Sequence, residues 1–291
     1  MAVILITGAK GQLGNELRVV SGKYFGYDFI FTDIDELDIT DLLKTKEFIL
    51  NKKPDWIVNC AAYNQVDKAE GDFQNALLIN SAAVRNIASV IKDSGIRFIH
   101  ISTDYVFDGM LSSPLREIDP VNPLGIYGKS KLGGEMLALQ YQETLIIRTS
   151  WLYSSFGNNF VKTMLRLGKE KESLTVVADQ VGSPTYAADL AVAIMQIITR
   201  VESGQSKYTP GVFHYSNEGA CSWFDFASEI MQSAGLSCHI IPITTSAYPT
   251  AAVRPAYTVF NKEKIKGEYG IVIPWWKDSL KNCLSLLLSK A

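Results

Sequence analysis

The hydrophobic pattern opens with Val3-Ile4-Leu5-Ile6, a short continuous apolar run without alternation, as expected for a strand buried on both faces of a parallel sheet. Further apolar runs predict strands over residues 28–31, 56–60, 98–102, 145–148 and 212–216. Between them the apolar spacing turns helical. Helices are expected from near Gln12, over 41–51 and 75–94, at Tyr127, and over 159–169, 187–200 and 223–234. Strands alternating with helices at this interval predict an α/β fold, a doubly wound parallel sheet with its site along one edge. After Arg148 the periodicity changes and short loops rich in Ser, Gly and Asn follow, which places a boundary near Trp151. Residues 1–150 are expected to form a nucleotide-binding domain to which about 185–217 return. Residues 151–184 and 218–291 form a smaller, mixed α/β substrate-binding region.

Chemistry enters directly after the first strand. Gly8, Gly11 and Gly14 sit between it and a helix, where glycines let the backbone approach a pyrophosphate and the helix N-terminus offers N–H groups. This is the Rossmann arrangement, although the spacing is G-x-x-G-x-x-G. The second strand runs into Asp33, about 20 residues after the glycines, where a carboxylate meets the adenosine ribose. Asp35, Glu36 and Asp38 follow with no neighbouring Arg or Lys in sequence, so NADH is expected in preference to NADPH. The third strand ends in Asn59-Cys60-Ala61-Ala62-Tyr63, small residues that leave room for a ligand, and the next helix delivers Asn80. Tyr127 and Lys131 share a helical face, an acid/base spacing that also suits a lysine stem packed over a ring.

Composition narrows the partners. With 47% hydrophobic and 20% charged residues among 291, and a net charge of -2, the chain has an ordinary core and no bulk attraction to nucleic acid or an anionic membrane. The four cysteines lack C-x-x-C spacing, and with three histidines they form no zinc set. Free thiols, no leader, and no apolar run of about 18 residues lead to the expectation of a soluble cytoplasmic protein.

Gly8-x-x-Gly11-x-x-Gly14, Asn59-x-Ala61-Ala62, Ser102-Thr103 and Tyr127-x-x-x-Lys131 together resemble the extended short-chain dehydrogenase/reductases. The run Ser102-Thr103-Asp104-Tyr105-Val106-Phe107-Asp108-Gly109, with Arg148-Thr149-Ser150-Trp151, Gly157-Asn158-Asn159-Phe160 and Asp179-Gln180-x-Gly182-x-Pro184-Thr185, is similar to the dTDP-4-dehydrorhamnose reductase family. That resemblance implies reduction of the 4-keto group of dTDP-4-dehydro-6-deoxy-L-mannose by NADH, or alternatively NADPH. It assigns Tyr127 as proton donor, Lys131 as the cation that lowers the tyrosine pKa and meets the nicotinamide ribose, and Thr103 as the hydroxyl on the carbonyl oxygen. By the same resemblance Gly11, Gln12 and Leu13 hold the pyrophosphate, and Asp33, Asp38 and Ile39 the adenosine end. Ala61, Ala62, Tyr63, Asn64, Asn80 and Ile101 line the cofactor's path. Val66, Thr103, Asp104, Tyr105, Trp151, Asn159 and Arg254 belong to the nucleotide-sugar substrate, with Arg254 on its diphosphate.

Some relatives place Mg2+ at a dimer contact. Glu16 matches one such ligand, but Ala187-Ala188-Asp189 supplies no second glutamate, so no metal is expected and a homodimer stays open. Alternatives are another sugar-nucleotide 4-ketoreductase or epimerase, or a non-catalytic subunit similar to methionine adenosyltransferase β. Tyr105 stands where related 4,6-dehydratases carry glutamate, which disfavours dehydration.

Overall fold

The computed structural model describes residues 2–289. Its first half runs β1 (Ala2–Thr7), α1 (Gln12–Ser21), β2 (Tyr27–Thr32), α2 (Leu42–Lys52), β3 (Trp56–Asn59), α3 (Val66–Ala69), α4 (Phe73–Leu77), α5 (Ala83–Val90), β4 (Arg97–Thr103), α6 (Ile126–Ala138) and β5 (Thr144–Thr149). The second half adds β6 (Leu152–Tyr153), α7 (Phe160–Glu170), β7 (Ser173–Val177), β8 (Val181–Gly182), β9 (Thr185–Tyr186), α8 (Ala187–Glu202), β10 (Gly211–His214), β11 (Cys221–Ser222), α9 (Trp223–Ala234), β12 (His239–Ile243), α10 (Glu263–Tyr269) and α11 (Trp276–Leu288). Local chemistry sets several boundaries. The Asp41 carboxylate accepts from the N–H groups of Leu43 and Lys44 to start α2. Ser222 and Asp225 form a capping box on α9, which stops at Gly235 in the left-handed region.

Among the described residues a six-stranded sheet has the order β10-β5-β4-β3-β1-β2, every neighbouring pair parallel. This is a Rossmann-type doubly wound sheet, and the chain does return to it through β10. Alternation within strands sends Ile4 and Ile6 to one face, where they join Trp56, Val58, Ile99 and Ile147 against Leu13 and Leu17 of α1 and Leu190, Ile194 and Ile197 of α8. Leu5, Ile57 and Phe98 face the other way, onto Ile49, Val84, Ile87 and Ala138. A second buried cluster joins Tyr153, Val161, Phe226, Ile230, Trp276 and Leu280 beyond the sheet. No helix among the described residues is long and apolar enough to cross a membrane.

One expected element differs. The helix read over 75–94 is broken by a π-helical turn at Leu78–Ala82 and ends at Val90. The turn aims the buried Asn80 amide at the Tyr63 N–H and carbonyl oxygen (2.8 and 3.0 Å) and at the Ser130 hydroxyl (3.0 Å). Opposite it, α6 carries Gly133 and Gly134. A Cβ on Gly134 would collide with the Asn80 carbonyl oxygen, and one on Gly133 would lie 2.7 Å from the Ser81 hydroxyl. Gly134→Ala is therefore expected to lower the unfolding free energy by about 1–3 kcal/mol in urea titrations. Met136→Ala, on the exposed face of the same helix, should shift it by no more than about 0.5 kcal/mol.

Candidate active site

The carboxyl ends of β1, β3 and β4 converge with α1 and α6. Gly8 leaves β1 with φ 67°, and a Cβ on it would sit 2.5 Å from the Ala61 nitrogen. Gly14 lies as close to the Gly8 carbonyl oxygen, where its Cβ would be 2.5 Å away. Gly11 is different: an added Cβ would meet only the Gly8 oxygen, at 3.2 Å, and α1 starts there without a side-chain cap. Bare backbone at an uncapped helix start fits a pyrophosphate. Leu13 is buried in the core, so it can contribute only backbone. The Gln12 side chain accepts from the Asn159 amide at 2.9 Å.

At the adenosine end, Asp33 accepts from the backbone N–H of Lys10 (2.8 Å) and of Ile34 (2.9 Å). Lys10 reaches out of the glycine loop to pair with Asp35. This corrects the sequence reading that no basic side chain stands there, because a residue of the first loop folds onto the end of β2. Asp38 turns onto the Thr40 N–H and hydroxyl (2.9 and 2.7 Å), and Ile39 is buried. Ala61, Ala62 and Tyr63 are half-buried and Asn64 exposed. Tyr63 donates its hydroxyl to Asp72 at 3.0 Å. Asn80, fully enclosed, braces this loop from behind.

Thr103 closes β4, and the next turn carries Asp104 and Tyr105. The Thr103 hydroxyl donates to Asp104 at 3.1 Å and lies near the Tyr127 phenol. Tyr105 packs edge-on against Tyr127, ring centres 5.4 Å apart. Tyr127 is half-buried, and burial pushes its phenol pKa up to about 12, with the nearby Thr103 hydroxyl opposing the rise and the Asp104 charge adding to it. The expected depression by Lys131 is absent. Lys131 instead turns its ammonium to the Ile101 carbonyl oxygen (2.7 Å) and toward His100 (3.4 Å), and burial lowers its pKa to about 8 against the pull of Glu135 and Cys60. Asp104 is pushed up to about 6 by burial, partly offset by the Thr258 and Thr103 hydroxyls.

Beside this constellation lies a cleft of about 720 Å3 whose lining includes Tyr105, Phe160, Trp223, Tyr248, Thr250 and Arg254. Arg254 grips Asp67, Nη2 to Oδ2 at 2.6 Å and Nη1 to Oδ1 at 3.1 Å. Asp67 sits beside the half-buried Val66 at the start of α3. Trp151 adopts φ 47° and stacks on Trp223 at 3.6 Å, so the cleft meets it through its partner. Asn159 caps α7 through the Lys162 N–H and donates to Gln12 and the Ser154 carbonyl oxygen, tying α7 to the glycine loop. On α7, Lys162 folds onto the Gly157 carbonyl oxygen and Arg166 pairs with Glu170. Glu16 is buried and accepts from the Ser154 hydroxyl at 2.6 Å. Among the described residues no group of three His, Cys, Asp or Glu is arranged to hold a metal ion.

Sequence reasoning missed Asp67, His100 and Glu135. Glu135 alone carried a local signal, one turn beyond Lys131 on the same face.

Over residues 1–289 the chain matches the family described as RmlD substrate binding domain. It is 42% identical over 286 residues to the spore coat polysaccharide biosynthesis protein SpsK of Bacillus subtilis (strain 168), covering 98% of this chain and 97% of that one. Against the dTDP-4-dehydrorhamnose reductase of Escherichia coli (strain K12) the identity is 38% over 296 residues, covering 98% of each. The crystal structure of a dTDP-4-dehydrorhamnose reductase from Bacillus anthracis str. Ames in complex with NADP superposes with TM-score 0.92 at 39% identity, covering 98% of this chain and 99% of that one.

The Asp104 shift sets a pH dependence. Its carboxyl holds a proton to about 6 when folded, against the ordinary value of 3.8, so folding takes up a proton within that window and stability falls as pH rises through it. Asp104→Asn is expected to match the parent near pH 4 and exceed it by on the order of 2–3 kcal/mol at pH 7 in urea unfolding. Parallel stability curves would refute the assignment.

Proposed function

The chain belongs to the family of the RmlD substrate binding domain, and on that premise we propose that it reduces the 4-keto group of dTDP-4-dehydro-6-deoxy-L-mannose to give dTDP-L-rhamnose. The observation that carries this reading is the Thr103–Tyr127 hydroxyl pair at the end of β4, with Lys131 one helical turn away. A bound reduced nicotinamide dinucleotide supplies the hydride. The bare backbone at Gly11 and the start of α1 would hold its pyrophosphate, and the loop from Ala61 to Tyr63, braced by Asn80, would border its path.

Tyr127 gives its phenolic proton to the C4 oxygen. Its raised pKa keeps that proton in place at neutral pH, so the residue waits in its acid form. Thr103 donates to the same oxygen as negative charge develops there. Lys131, which turns to the Ile101 carbonyl oxygen and His100 in the cofactor-free protein, would turn to the nicotinamide ribose of a bound cofactor and there offset charge left on the phenolate. The second buried cluster and its cleft hold the sugar nucleotide, with Arg254 exchanging Asp67 for the diphosphate, a guanidinium suiting either partner.

The ground for preferring NADH falls away with Lys10 beside Asp35. The chain takes either nucleotide, and Lys10 provides the positive charge that a 2′-phosphate needs. Lys10→Ala is then expected to cut kcat/KM for NADPH about 10-fold and leave NADH within about 2-fold. An unchanged ratio would remove Lys10 from phosphate recognition.

Tyr127→Phe should bind NADH within about 3-fold of the parent yet lose about 10³ in kcat with the dTDP-4-keto sugar. Retained turnover would remove Tyr127 as the acid. A 4-epimerase would instead purify with its nucleotide bound, which the absorbance of the released cofactor reads directly.

A further inference from the structure

Thr7, Asn59 and His100 form a polar row across the middle of the sheet. Thr7 on β1 is in register with Asn59 on β3, and Asn59 with His100 on β4. All three are buried among Ile, Val and Phe, where polar groups persist only when paired. The Thr7 hydroxyl donates to Asn59 Oδ1 at 2.6 Å, Asn59 Nδ2 lies 3.1 Å from His100 Nδ1, and His100 Nε2 lies 3.4 Å from Lys131 Nζ.

The direction of this chain is fixed by one backbone group. The Ala61 N–H can only donate, and it reaches the same Asn59 Oδ1 at 3.1 Å. Asn59 therefore presents its NH2 to His100, whose Nδ1 must accept. Burial, and then the neighbouring Lys131 charge, push the His100 pKa well down, so the ring is neutral and its single proton sits on Nε2. That proton points at Lys131. Against an ammonium it is a donor facing donors, whereas against a neutral amine it is a hydrogen bond to the lone pair.

We propose that His100, oriented by Asn59, is a positioning residue that lowers the basicity of Lys131 in the cofactor-free protein, so that Lys131 takes up a proton from solvent when it engages the cofactor. This rests on the cofactor role given to Lys131 above. The other groups facing Lys131 do not replace His100. Glu135 on the same helix favours the ammonium but is engaged by Arg148 at 2.7 Å. The Cys60 thiol beyond β3 and the Tyr127 phenol are both pushed up to about 12 by burial and stay protonated. From the π turn packed on α6, Asn80 and Ser81 do not titrate. The Lys131 value of about 8 agrees with an amine poised to change state.

The test is nitrogen-15 NMR of labelled histidine in the cofactor-free protein, with His100 assigned by its loss in His100→Gln. Between about pH 6 and 10 the ring should carry its proton on Nε2 throughout, with both nitrogen shifts moving near pH 8 and that movement gone in Lys131→Met. A ring protonated on Nδ1, or shifts that ignore Lys131, would overturn the proposal whatever the enzyme's substrate. Calorimetric titration of NADH in buffers of differing ionisation enthalpy then reads proton uptake on binding at pH above 8. Uptake should fall about 2-fold or more in His100→Leu and return in His100→Gln, whose amide can accept from Asn59 and donate to Lys131. Unchanged uptake in a folded His100→Leu protein also overturns it. Failure of the parent to bind NADH, with the tautomer as assigned, would strike the cofactor reading instead.

Discussion

Arg148 and Glu135 face each other almost wholly out of water, Nη2 to Oε2 at 2.7 Å and Nε to Oε1 at 2.9 Å. Burying two charges costs several kcal/mol each, and only close, multiply bonded geometry offsets that cost. Removing one partner leaves a buried charge unpaired, at about 3–5 kcal/mol. The pair therefore pins the third turn of α6 to β5. His214, 3.5 Å from Arg148 Nη1, ties β10 into the same network. With the helix clamped at that turn, the missing side chains at Gly133 and Gly134 let it settle against Asn80 and Ser81. Tyr127 and Lys131, on the two preceding turns, then have no freedom to drift from the end of β4.

That seating has an electrostatic consequence. The enclosure that fixes Tyr127, Lys131 and Asp104 also removes water from them, and each pKa moves toward the neutral form: the phenol and carboxyl up, the ammonium down. The site thus holds a protonated phenol beside a lysine of reduced basicity. At the rim, the Arg254–Asp67 pair keeps a guanidinium satisfied beside the cleft.

How much of this was legible in the sequence follows from distance along the chain. The Gly8, Gly11 and Gly14 loop and the Tyr127 and Lys131 spacing are local signals, read from residues within a turn or two of one another. They also gave the alternation of strands and helices and the return of the chain through β10. The helix over 75–94 was misread because its π turn answers to Tyr63 and Ser130, not to its own neighbours.

By itself, then, the sequence determined the wound sheet, the glycine loop after β1 and the spacing that sets Tyr127 and Lys131 on one helical face. Tertiary structure decided what those groups meet. It set Lys10 against Asp35, Arg254 against Asp67, Glu135 against Arg148, and His100 between Asn59 and Lys131. The physical reason is that a side chain's partner depends on which strands and helices lie adjacent, and its pKa on what covers it. Neither quantity is carried by local spacing, so the chemistry of Lys131 became readable only once β3, β4 and α6 were brought together.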